Sequence, residues 1–217
     1  MENLGSDVSG EITIDDINLF YPSGRMSKVW LMWETVRRFA NLLDDAHAKQ
    51  MLSLEDILKK YEGSETLPED KIHDLLELTD LHSQTSLSSK VLVNAAVLHL
   101  LTSFIEFVLK EILKLVEPRN PLPRGLQNLI TALEAKGIFT GYPESYLKHV
   151  HNHRESVRNR FAHGDWEQLA MDVKFVDLDE AFIGTAEFVL SMQERLEEKG
   201  YDLRTPTITP VELPEGF

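Results

Sequence analysis

Apolar residues recur three and four apart along most of this chain, and strict alternation over more than a few residues occurs only between Thr205 and Leu213. That periodicity predicts helices nearly throughout. The first is expected from about Lys28 to His47, on Val29, Leu31, Met32, Val36, Phe39, Ala40 and Leu43. Trp30, Trp33 and Phe39 give it much of its bulk and are read as core rather than as a base-stacking platform. Ser53-Leu54-Glu55-Asp56 resembles a capping box for a short helix ending near Gly63, and Pro68 suits the first turn of another helix reaching about His82. The Ser83 to Ser89 stretch then supplies caps for a long apolar helix, Val91 to Val116, which Pro118, Pro121 and Pro123 stop.

Beyond these prolines a helix is expected from about Arg124 to Lys136, ended by Gly137 with Ile138 making the accompanying apolar contact. The next starts near Pro143 and stops around Gly164, and a last one spans Leu178 to Lys199 with Asp177 or Asp179 near its start and Gly200 past its end. Trp166 either closes a groove or anchors the loop after Gly164. The fold class that follows is all-α, a bundle with short connections around the Val91 to Val116 helix. The chain divides into an N-terminal arm (1–25), N-terminal helices packed on the bundle (26–86), a helical core (87–200) and an extended tail with prolines (201–217). Ile12, Ile14, Ile17, Leu19 and Phe20 make the arm too apolar for a solvated tail, so it is expected to dock.

Composition narrows the chemistry. The 217 residues contain no cysteine, which removes thiol nucleophiles, thiolate metal sites and disulfides and fits a cytoplasmic setting. Met1 to Asp7 has neither the basic start nor the apolar run of a secretory signal, and polar residues from Asn94 to Lys114 interrupt the most apolar stretch, which speaks for a core helix and against a membrane span. With 36 acids against 22 bases the net charge is −14, which repels nucleic acid at long range and leaves room only for a local basic groove.

Such a groove has a candidate. Lys148, Arg154, Arg158 and Arg160 face only Glu155 between residues 148 and 163, a net of +3 in an otherwise acidic chain. The segment ends in Arg158-Asn159-Arg160-Phe161-Ala162-His163-Gly164. On a helix Asn159 and His163 share a face, whereas Arg158 and His163 diverge by about 140° and about 7.5 Å. Histidine exchanges protons near neutral pH and arginine holds phosphate or stabilises a phosphorane, a combination suited to RNA cleavage. His149 and His153 stand one turn apart and could share an ion, but the preferred reading has them line the polar groove, with no metal and no cofactor assigned.

At these residues the sequence resembles the HEPN superfamily, whose members carry an Arg, usually a polar residue such as Asn next to it, and a His after four to six further residues. The resemblance covers roughly Ser88 to Gly200 and implies a HEPN-like bundle that pairs as a homodimer so that two motifs face each other. It implies a metal-independent endoribonuclease forming a 2′,3′-cyclic phosphate, with toxin–antitoxin or phage-defence roles common among relatives. His163 would be general base or acid, Arg158 would contact the scissile phosphate and Asn159 would orient it or His163. Glu106 or Ser103 on the long helix would lie beside the motif, with Arg160, Arg154, Lys148 and Trp166 as further substrate contacts. Where toxins paired with nucleotidyltransferase antitoxins carry a tyrosine two residues past the histidine, this chain has Asp165, so regulation of that kind is not expected.

Two other readings stand beside this one. The same groove could bind RNA, a nucleotide or a protein partner, an antitoxin included, without cleaving anything. More plainly, Arg158 and Asn159 could bond nearby carboxylates while His163 caps its helix.

Overall fold

The computed structural model describes residues 17, 19–62, 69–118 and 121–205. The order is α1 (Ser27–Glu62), α2 (Glu69–Val116), α3 (Leu126–Ala135), α4 (Glu144–Tyr146), a π-helical turn (Leu147–His151), α5 (Asn152–His163), α6 (Trp166–Val173) and α7 (Leu178–Glu198). There is no strand among the described residues, and the all-α class holds. Pro68, Gly63, Ile12, Ile14 and the tail from 206 onward lie outside the described residues.

The N-terminal half is simpler than the expected string of short helices. Expected breaks near His47 and Ser53 are absent: α1 continues through both. The expected boundary between His82 and Val91 is absent too, since α2 is a single helix of 48 residues and its Ser83 to Ser89 stretch lies in the interior. The physical reason is local. Neither helix contains Gly or Pro, and hydroxyls that were expected to cap instead bond back within their own helix. Ser89 donates to the Thr85 carbonyl at 2.7 Å, so it does not compete for a new helix start.

The second half of α2 is the centre of the molecule. α1, α3, α5, α6 and α7 all pack against it. Leu98, Leu101, Phe104, Ile105, Val108, Leu109 and Ile112 are fully buried there. Trp33 of α1 meets Phe104 with ring centroids 5.4 Å apart and Phe182 of α7 at 5.6 Å, which fastens three helices at one point. Trp30 is partly buried and Phe39 is 45% exposed, so of the three α1 rings only Trp33 is fully in the core. By length and composition α2 has, within His73–Val116, a stretch apolar enough to cross a bilayer, and 56% of that window is buried inside the bundle.

Both ends of the described chain close over α7. Ile17, Leu19 and Phe20 are buried; the Ile17 carbonyl accepts from Trp33 Nε1 at 3.3 Å and the Phe20 amide donates to Gln193 at 3.0 Å. The Arg25 amide donates to the carbonyl of buried Leu203 at 3.2 Å. The described part of the arm therefore docks, because its apolar residues complete the core beside Trp33.

Expected ends match well in the C-terminal half. Past α3 the Gly137 amide reaches Glu134 and the Ile138 amide reaches Leu133, with Ile138 buried. Asp177 caps α7 by accepting from the Asp179 and Glu180 amides. Helix α6 was not expected, although Trp166, Leu169, Ala170 and Val173 fall at i, i+3, i+4 and i+7 and two of them are buried. Its end is held by a buried polar residue of α2, Asn94, whose amide donates to the Val173 and Val176 carbonyls at 2.9 and 3.2 Å.

Candidate functional site

The expected helix from Pro143 to Gly164 is continuous but not uniform. Its second turn widens into the π-helical segment Leu147–His151, which changes the position of every later side chain around the axis relative to a continuous α-helix. The insertion follows directly on the turn that α7 packs against at Gly184. A Cβ at Gly184 would lie 2.7 Å from the Ser145 carbonyl carbon and the Tyr146 amide, so α7 can pack on α4, just before the π segment, only because residue 184 has no side chain. Around the same point Tyr146 stacks on Phe188 at 4.6 Å and Tyr142 lies 4.5 Å from the His151 ring. Burial pushes the phenols of Tyr142 and Tyr146 up, so both remain neutral.

Arg154 and Asn159 of α5 line a cleft of about 450 Å³ together with Thr102 and Glu106 of α2 and the stretch from Gly125 to Asn128 at the start of α3. Three residues singled out from sequence, Glu106, Arg154 and Asn159, thus meet in one place. Glu106 is bonded by Lys110 one turn on at 2.6 Å, so the acid enters the cleft with its charge partly offset. The polar lining from Thr102, Gln127 and Asn128 was missed. Of these, Thr102 was accessible from sequence, because it sits one helical turn before Glu106.

His163 is the last residue of α5 and is exposed, one turn beyond exposed Asn159. The helix stops there because Gly164 takes a left-handed conformation, φ 69°, while the Asp165 amide bonds back to the Arg160 carbonyl at 3.1 Å. The backbone of Arg158 lies in α5, and its side chain lies outside what the structure describes.

The remaining expected contacts divide differently. Arg160 is engaged in the corner between α5 and α6, where it bonds Asp165 at 3.1 Å and pairs with Asp172 at 2.7 Å. Ser103 is exposed and donates to the His99 carbonyl at 2.9 Å, and Lys148 is exposed on the π turn. Trp166 begins α6 rather than a loop, and it lines a separate apolar groove with Leu87, Ser88, Val91, Leu92 and Ala170. His153 is half-buried, and burial, with repulsion from His149, holds its imidazolium below the ordinary 6.5, against the pull of Asp172. Among the described residues no three His, Asp or Glu side chains group as a metal site would require.

The fold and the cleft define an all-α protein with a polar, mixed-charge hollow beside the end of one helix. No family model, curated protein or solved structure matches the chain.

Proposed function

We propose that this chain is a HEPN-type, metal-independent endoribonuclease that works as a homodimer in the cytoplasm. What supports the reading is that Arg158-Asn159-x-x-x-His163 falls in the closing turns of α5, with Asn159 and His163 exposed one turn apart and Asn159 sharing its cleft with Arg154 and Glu106. His163 takes the proton of a ribose 2′-hydroxyl, whose oxygen attacks the adjacent phosphorus. Arg158 holds the non-bridging oxygens, the 5′-oxygen leaves and gains a proton, and a 2′,3′-cyclic phosphate remains. Two copies facing each other bring a second Arg and His to the phosphate, which compensates for the divergence of Arg158 and His163 along one helix. A toxin or phage-defence role is the biological setting that the HEPN resemblance suggests.

The test is incubation of the purified protein with a mixed RNA pool in EDTA, beside His163→Ala and Arg158→Ala variants checked for helicity and dimer formation. The expected result is cleavage by wild type and a loss of about 100-fold or more in each variant. Cleavage unchanged in both would sink the site assignment. A second reading, a HEPN module that binds RNA, a nucleotide or a protein without cleaving, is favoured by one observation: Arg160 is already taken by Asp165 and Asp172, which leaves fewer charges for a reacting phosphate. Wild type that binds RNA and leaves it intact would establish that reading instead.

A further inference from the structure

The apolar groove beside Trp166 has no part in the chemistry proposed above. It holds about 420 Å³ between the middle of α2 and the first turns of α6, and its walls are Leu87, Ser88, Val91, Leu92, Trp166 and Ala170. Leu87 is 56% exposed, Leu92 49% and Trp166 50%, so three large apolar side chains stand half in water around one hollow. The face does not end there. Leu76 and Asp80 precede Leu87 by eleven and seven residues and lie within about 20° of it around the helix axis, which prolongs the stripe along the exposed half of α2. Leu76 is 60% exposed.

Charge selects the occupant. No Lys or Arg lines the groove, whereas exposed Asp80 extends it on α2 and exposed Glu167 flanks Trp166 on α6. The terminal segments of this chain outside the described residues are themselves acidic: residues 1–16 carry Glu2, Asp7, Glu11, Asp15 and Asp16 without a Lys or Arg, and residues 206–217 carry Glu212 and Glu215 without one. A second copy brings another −14. All three meet like charge at this rim.

We infer that the groove between α2 and α6 receives a basic amphipathic helix of another protein. Its apolar residues at i, i+3, i+4 and i+7 fill the hollow between Leu87 and Trp166, and its Lys and Arg residues meet Asp80 and Glu167. A third helix laid between two others is the packing that an apolar trough of this kind accepts. The inference is independent of whether the α5 site cleaves RNA.

The chain has no cysteine, so Ser88→Cys places a single thiol in the groove wall without removing its apolar lining. The probes are a synthetic helical peptide with Leu at i, i+3, i+4 and i+7 and Lys along both flanks, and a scrambled peptide of the same composition. The expected result is free labelling of the thiol in the protein alone, protection by the patterned peptide, and no protection by the scrambled one. Asp80→Lys together with Glu167→Lys, both at exposed positions, should weaken binding of the patterned peptide at least about tenfold. Equal binding of the scrambled peptide, or binding that leaves the thiol unprotected, would overturn the inference. Protection without peptide would overturn it as well: a concentration-dependent effect assigns the groove to a second copy, and a concentration-independent one to the chain's own termini.

Discussion

Gly184 shows how one missing side chain decides local geometry. With Ser145 and Tyr146 backbone atoms 2.7 Å from where its Cβ would stand, Gly184→Ala forces α7 away from α4. The expected outcome is a loss of about 1–3 kcal/mol in urea unfolding, as for other overpacked sites. Asn94 is the converse case, a buried polar side chain whose two bonds hold the end of α6. Asn94→Leu removes the donor from two carbonyls and should destabilise by about 1–3 kcal/mol, while Asn94→Ser, which retains a donor, should recover part of that. His153 gives a pH signature. Its folded pKa lies below the ordinary 6.5 chiefly through burial, so the unfolded chain binds the proton first as pH falls. Stability is then complete above 6.5 and is lost as pH falls from there toward the lowered folded value. Urea midpoints measured at about pH 7.5 and about pH 5 should show this fall in wild type and a smaller one in His153→Gln. The same residue scale marks the limit of the sequence reading at the site: Glu106, Arg154 and Asn159 were legible as polar residues on helices, but that they converge depends on how α5 crosses α2.

Among the elements, α1 and α2 form a long antiparallel pair of unequal support. From Asn41 to Lys90 no described side chain is fully buried, whereas from Val91 to Leu113 most inward positions are. In the outer half the pair is joined by contacts such as Ser89 to His47 at 2.8 Å and Lys90 to Asp44 at 3.9 Å, which are exposed or partly exposed and weak. Amide hydrogen exchange should therefore be faster by about two orders of magnitude or more in residues 45–60 and 72–88 than in 97–112, although both belong to unbroken helices. Equal protection would mean that the outer half is covered by something else in solution. Helix α6 illustrates a different limit: its four apolar positions were readable, but eight residues cannot sustain a helix alone, and the element exists because Leu169 and Val173 are buried and Asn94 holds its end.

For the molecule as a whole, the charge of −14 acts on every property that depends on ionic strength. Raising salt from about 50 mM to about 500 mM should raise Tm by a few degrees by screening self-repulsion. If the proposed RNA site operates, the same change should weaken RNA binding, since the net +3 between residues 148 and 163 is a local attraction within an acidic surface. Opposite signs for the two effects in one titration would separate the local charge from the global one.

What the sequence by itself determined was helicity, the central place of the Val91 to Val116 segment, and the helix ends marked by Pro118, Gly137, Gly164, Gly200 and the Asp177 cap. Those features rest on backbone preferences and on periodicity within one segment, which act over a few residues. Tertiary structure alone decided that the helix leading to Gly164 contains a π turn, that Arg160 is spent on Asp165 and Asp172, and that Trp166 lines a groove separate from the cleft. Each of these depends on what a side chain meets across the bundle, and burial against a partner helix outweighs the few tenths of a kcal/mol by which neighbouring residues favour one local conformation over another.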